Sequence, residues 1–288
     1  MPELPEVETF VRGIAGKLRG RTFGAARLTH DDVLRGVTRR RLLTRLEGAR
    51  VIRVFRRAKH AVIVTDRGRL VVQPGMTGSL FVRSKVQDPR SKKPSARTLD
   101  LAPRTCDYAV LRIALSDGKL LIYRDPRRLG TLLWLDEPGW EAYDAALGPE
   151  PLDPGFTAAV LGRILAGSRA AVKKVLMDQR ALAGVGNIYA QEALFEAGID
   201  PSKPANRVPG EAVPRLHRHL VRILRTAVAS RGTTVRDYRT GSGEPGGFQL
   251  ELKVYGREGE SCVRCGTSLA GTHAIDARIT VFCHRCQR

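Results

Sequence analysis

Apolar residues recur with helical spacing at the very start of the chain, where Val7, Phe10, Val11, Ile14 and Leu18 fall on one face. Pro5 and acidic residues occupy the first turn, so the pattern predicts an amphipathic helix that anchors the amino terminus. From about residue 50 to 135 the texture changes to short runs rich in β-branched residues, at 51–55, 61–64, 70–72, 108–115 and 120–123. Turn signals at 66–68 and 116–118 separate them, and the stretch reads as an antiparallel sandwich or barrel. Residues 84–104 are polar, basic and proline-containing, which predicts a mobile loop. A run of proline and glycine at 138–155 marks a linker. Helical periodicity then returns at 156–166, 170–177, 188–197 and 211–229, the last two closed by Gly198 and Gly232. A glycine-rich stretch at 240–247 leads into a cysteine module. The fold class expected is α+β and multidomain. Residues 1–137 form a β-rich domain with a flanking helix, 138–155 the linker, 156–240 a helical domain containing a helix, two turns and a helix, and 241–288 a small metal-binding hairpin.

Composition narrows the partners. The chain has 288 residues and a formal net charge of +20, with a pI near 10.6. A surface this basic points to a polyanion, nucleic acid or an anionic membrane. No apolar run approaches the ~20 residues of a membrane span, and Glu3, Glu6 and Glu8 interrupt any signal-peptide core. A cytosolic location is expected, where disulfides are disfavoured. Of the five cysteines, Cys106 stands alone and receives no role.

Cys262-x2-Cys265 and Cys283-x2-Cys286, seventeen residues apart, have the spacing of a closed four-thiolate zinc site. Residues 254–255 and 281–282 are expected to flank it as strands of a hairpin, and Arg264, Arg278, Arg285 and Arg288 make that hairpin basic. In the segment GVGN at 184–187, two glycines permit close backbone approach, and Asn187 is expected to open a helix whose free N–H groups point outward to phosphate. At the other end, removing Met1 leaves Pro2 with a secondary amine beside Glu3. An α-amino group titrates near ~7.7–8, so it is partly unprotonated and nucleophilic at neutral pH. On condensing with an aldehydic carbon it gives a cationic iminium, an electron sink.

The segments MPELPEVET at 1–9, QPGMTGS at 73–79, DPRRLG at 125–130 and GVGNIYA at 184–190 occur in order before the four-cysteine module. Together they resemble the bacterial formamidopyrimidine-DNA glycosylase family over essentially the full length, and the opening segment resembles this branch more than the endonuclease VIII branch. The resemblance implies a repair enzyme that excises 8-oxoguanine opposite cytosine and ring-opened purines from double-stranded DNA, then cuts the strand by β,δ-elimination. It implies Pro2 as nucleophile, Glu3 as the neighbouring carboxylate and Lys59 as a supporting, phosphate-contacting lysine. Asn187 and Arg278 are implied phosphate contacts, and Lys173 is implied as another lysine of the DNA-binding site. Met76 and Arg127 are implied to fill the space of the flipped nucleotide, with the arginine facing the orphan cytosine. Leu129 stands where the family usually has phenylalanine. One structural Zn2+ on Cys262, Cys265, Cys283 and Cys286, a monomer, and a loop at 236–249 closing over the everted base complete the expectation. An endonuclease VIII-like enzyme for oxidised pyrimidines and a non-catalytic DNA-binding protein of the same fold are the rival readings.

Overall fold

A computed structural model describes residues 2–83, 108–233 and 246–288. The expected loop at 84–104, Cys106 and residues 236–245 of the expected closing loop lie outside the described residues. The first helix, α1 (Leu4–Leu18), is the predicted one. Glu3 is its N-cap, and the Glu6 carboxylate reaches back to accept the Glu3 N–H at 2.8 Å, the returning half of a capping box.

Two four-stranded antiparallel sheets follow. One runs in the order β1 (Phe23–Leu28), β6 (Ala109–Leu115), β7 (Leu120–Arg124), β5 (Ser79–Arg83). The other runs β2 (Val51–Arg57), β3 (His60–Thr65), β4 (Gly68–Gln73), β8 (Thr131–Leu135). Their inner faces and the apolar stripe of α1 share one core, with Phe10, Ile14, Phe23, Ile63, Leu70, Ile113 and Tyr123 among its members. Strands β3 and β4 are apolar on both faces, because Val62 and Val71 point away from that core and pack on Trp140. Trp140 belongs to α3 (Glu137–Ala145), capped by Asp136. Residues 138–155, expected as a linker, therefore begin with a helix, since an apolar outer sheet face must be covered. Helix α2 (Arg39–Leu46), with only Leu42 and Leu46 buried among its arginines, escaped the apolar pattern.

The second core is helical: α4 (Ala158–Ala166), α5 (Val172–Met177), α6 (Asn187–Ala197) and α7 (Ala212–Ala229). Helix α6 is buried on nearly every side, and Gly198 takes the left-handed conformation that ends it, as predicted. Leu4 is fully buried in this helical core, whereas Val7 to Leu18 pack on the sandwich. The first helix thus has its head in one domain and its body in the other. At the carboxyl end β9 (Ala270–Thr272) pairs with β10 (Thr280–Phe282). The 281–282 strand is as expected, but 254–255 is not a strand. The N–H groups of Lys253, Val254 and Tyr255 donate instead to the buried Glu192 carboxylate of α6, leaving none for a ladder.

Candidate catalytic and nucleic-acid-binding site

The amino terminus enters the molecule where its two cores meet. Pro2 is buried, and Leu4 donates its N–H to the Gly184 carbonyl at 3.0 Å. Glu3, 3% exposed, accepts the Ile188 N–H on Oε1 at 3.0 Å, while Oε2 has no hydrogen-bond partner among the described residues. The Ile188 N–H, in the first turn of α6, is therefore turned inward to a carboxylate, where the sequence suggested outward donors for phosphate. The chemistry of a helix amino terminus is the same in both cases, an anion on exposed N–H groups at the positive end of the dipole. Gly186 makes this possible: a Cβ there would lie 2.4 Å from Glu3 Cδ and 2.6 Å from Oε1. Gly184, at φ +83°, lies so close to Leu4 that a Cβ would meet its Cδ1 at 2.8 Å. The two glycines of GVGN thus serve close approach, to this chain's own first residues.

Glu6 ties the terminus to the helical domain. Its Oε1 accepts the Tyr189 hydroxyl at 2.6 Å and the Thr233 N–H at 2.7 Å. Burial first, and then the charge of Glu3, push its carboxyl above the ordinary range, against these donors. Tyr189, fully buried, has its phenol raised well above 10 by burial and by Glu6. Neither residue stood out in the sequence, although Glu at N3 after a capping acid is a readable signal.

Cations converge on the carboxylates. Lys59, in the β2–β3 turn, is 5% exposed; burial lowers its ammonium pKa, Arg278 acts in the same direction, and Glu3 and Glu6 oppose it. The turn is held by Glu150, which accepts the Ala58 N–H at 2.6 Å, with Ala58 at φ +52°. Lys173 is fully buried, its Nζ donating to Asp276 Oδ2 at 2.9 Å and Thr280 Oγ1 at 2.6 Å. Burial lowers its pKa and Asp276 opposes. Asp276 also accepts the Arg278 N–H at 2.7 Å, leaving that guanidinium exposed. Asn187 is 9% exposed, with Oδ1 taking a hydrogen from Gln191 at 3.0 Å. Glu3, Lys59, Lys173 and Arg278 thus share one electrostatic neighbourhood, whereas Lys173 spends its donors on the hairpin.

A separate group stands on the sandwich. Met76, Arg127 and Leu129 are exposed, and the Arg127 guanidinium touches Met76 Sδ at 4.0 Å. Asp125, buried, builds their platform, accepting from Thr77 Oγ1 at 2.7 Å, Tyr123 Oη at 3.0 Å and the Gly130 N–H at 2.8 Å. The Gly75 turn presses on this loop so closely that a Cβ would lie 2.4 Å from Gly130 N. Three large side chains are thus held out to water above a buried carboxylate network. At the far end, the sulfurs of Cys262, Cys265, Cys283 and Cys286 all lie within 4.8 Å of one another. The pairs Cys262–Cys286 and Cys265–Cys283 are 3.9 Å and 3.5 Å apart. Disulfides need about 2.05 Å; the edge of a tetrahedron with ~2.3 Å metal–sulfur bonds is about 3.8 Å. The set fits a metal ion.

A sandwich and a helix–two-turns–helix domain joined by a shared first helix, with a four-thiol hairpin appended, define a nucleic-acid-processing class of protein. Residues 1–132 match the formamidopyrimidine-DNA glycosylase N-terminal domain, and residues 147–239 match the H2TH domain of the same enzymes. The formamidopyrimidine-DNA glycosylase of Stutzerimonas stutzeri is 43% identical over 288 residues, covering all of both chains. The Thermus thermophilus MutM (Fpg) crystal structure superposes with a TM-score of 0.82 at 35% identity, covering 99% of this chain and 98% of that one. A Lactococcus lactis Fpg bound to abasic-site DNA superposes at 0.86, with 30% identity and 99% coverage of each. The chain belongs to the formamidopyrimidine-DNA glycosylase family, a family of DNA repair glycosylases. Fold class and family are as the sequence indicated.

Proposed function

We propose that the protein excises oxidised purines, 8-oxoguanine opposite cytosine and formamidopyrimidines, and then cleaves the strand as an AP lyase. The observation that carries this reading is Glu3, locked between Pro2 and α6 with no partner for Oε2 among the described residues. A buried carboxylate oxygen without a donor costs about 1–3 kcal/mol, which suits a position where a reacting group brings a proton. With Met1 removed, the neutral Pro2 nitrogen attacks the sugar C1′. The C1′–N bond to the base breaks, its electron pair leaves with the base, and the base takes up a proton. The N–H proton of the attached proline passes to Glu3, which delivers it to O4′; the ring opens as the C1′–O4′ bond breaks, and the proline nitrogen becomes the iminium. A base removes a C2′ proton, whose C–H electron pair flows into the iminium to give an enamine that expels the 3′ phosphate; loss of the C4′ proton from the resulting conjugated iminium then expels the 5′ phosphate. Lys59 supports the site and contacts phosphate; Asn187 and Arg278 hold the flanking backbone, and Lys173, buried on Asp276 and Thr280, steadies the hairpin that presents Arg278.

Met76, Arg127 and Leu129 fill the space left by the extruded nucleotide, replacing stacking that costs a few kcal/mol to break. The four cysteines hold one Zn2+, which supplies folding energy to the hairpin that carries Arg278. Among the described residues no helix is long and apolar enough to cross a membrane. We place the protein in the cytoplasm, as a monomer, on the nucleoid through DNA. The test is excision on duplexes containing 8-oxoguanine opposite cytosine or thymine glycol, with borohydride present. Trapping on the first duplex supports the reading. Preference for thymine glycol supports an endonuclease VIII-like enzyme, and binding without excision supports a non-catalytic protein.

A further inference from the structure

The arginines of α2 lie outside every residue assigned above, and their placement is unusual. Thr38 is the N-cap, so Arg39, Arg40 and Arg41 occupy the first three helical positions, with no acidic residue in that turn. The amino end of a helix is the positive end of its dipole and ordinarily takes carboxylates; three cations there are unfavourable unless an anion is supplied from outside. Among the described residues, Arg40, Arg41 and Arg45 make no ion pair, and all three are exposed. Only Arg39 is paired, to Asp31 at 2.7 Å.

The patch is continuous with the loop that carries Arg127 and Leu129. Leu34 bridges Leu132 in parallel, with Arg35 N–H donating to the Leu132 carbonyl at 3.0 Å and Leu132 N–H to Val33 at 2.8 Å. The two consecutive aspartates of this segment each hold one arginine. Asp32 takes Arg128 of the wedge loop at 3.2 Å and Asp31 takes Arg39 of α2. The wedge loop and the first turn of α2 are therefore tied together through the aspartate pair, by Arg128–Asp32 on one side and Asp31–Arg39 on the other.

We propose that Arg40 and Arg41 extend the DNA track beyond the wedge, binding backbone phosphates of the duplex on one flank of the lesion. This rests on the DNA-repair reading for its ligand but not on the chemistry at Pro2. Backbone neutralisation contributes affinity without sequence information. Adjacent residues, Asp32 and Asp31, join the wedge loop to the first turn of α2, so the contacts are expected within a few base pairs of the wedge.

The test compares the wild type with the double variant R40Q/R41Q in equilibrium binding to three duplexes of about 30 base pairs. One carries a central lesion analogue; the others carry it about four base pairs from one end or the other. On the central duplex the variant binds about tenfold more weakly at 0.1 M salt. Its slope of log K against log salt is shallower by roughly 2, since each phosphate contact contributes ~0.9. On one of the two off-centre duplexes, where the flank facing α2 is missing, wild type and variant bind alike. Thermal stability of the variant is equal or higher, because cations have left the helix amino end. Equal slopes on all three duplexes overturn the proposal, as does an equal loss on all three. A wild type that shows the flank dependence yet yields no borohydride adduct keeps the track and removes the Pro2 chemistry.

Discussion

Substituting Gly186→Ala isolates the contact between the terminus and α6. The new methyl would lie 2.4 Å from Glu3 Cδ and 2.7 Å from Oε2, so the carboxylate must move. Overpacking of this kind costs about 1–3 kcal/mol, and losing the Ile188 N–H to a carboxylate about 1.5–3 kcal/mol. A fold with two separate cores survives this, but Glu3 no longer sits against Pro2. Misplacement of a reacting group by about 1 Å costs on the order of 100-fold in rate. Single-turnover excision and borohydride trapping are expected to fall by about that factor. Affinity for a lesion analogue should stay within about threefold, because the phosphate contacts are untouched. Gly13→Ala, in α1, is the control: outside the helix's own neighbouring backbone, no atom lies within 4 Å of its Cβ position, and it should stabilise by ~0.5–1 kcal/mol with unchanged rate. A Gly186→Ala enzyme that traps at the wild-type rate refutes the dependence of chemistry on Glu3 placement.

His60 is buried beside Tyr143, Nδ1 3.1 Å from its hydroxyl, and burial pulls its pKa from the ordinary 6.5 down to about 4. The folded state then binds fewer protons than the unfolded chain between those values. Stability is full above pH 6.5 and falls as pH drops toward 4, by on the order of 3 kcal/mol. Denaturant unfolding of His60→Gln should show a flatter acid limb; identical limbs contradict the assignment. Chelation should abolish tight DNA binding while leaving the fluorescence of Trp134 and Trp140, both on the sandwich side, unchanged; unchanged binding after chelation removes the hairpin's role. Base–aromatic stacking is worth about 1–3 kcal/mol, so Leu129→Phe should tighten binding to an abasic duplex several-fold, measured by titration. Weaker binding would place Leu129 outside the stack.

What the sequence made legible follows the strength of its periodic signals. The first helix, the core strands β3, β4, β6 and β7, and α6 with its Gly198 stop were readable because their apolar spacing is unbroken. Helix α3 was not, because Pro138 and Gly139 read as loop and only the apolar back of β3 and β4 explains it. The strand assigned to 254–255 failed because a single buried carboxylate, Glu192, takes its N–H groups from 61 to 63 residues away. At the site, residue identities came from motif order, but partners did not. That Ile188 serves Glu3, that Lys173 is bound to Asp276, and that Glu6 joins Tyr189 to Thr233 are long-range facts no local pattern carries.

The most direct measurement is the identity of the residue that borohydride fixes to DNA. The protein with Met1 removed is incubated with a duplex holding one 8-oxoguanine opposite cytosine, reduced, digested and mapped by mass spectrometry. The expected adduct is a single one on the Pro2 nitrogen, absent in Pro2→Gly, with both strand ends carrying phosphate. An adduct on Lys59 or another lysine, or undiminished cleavage by Pro2→Gly, contradicts the amino-terminal nucleophile.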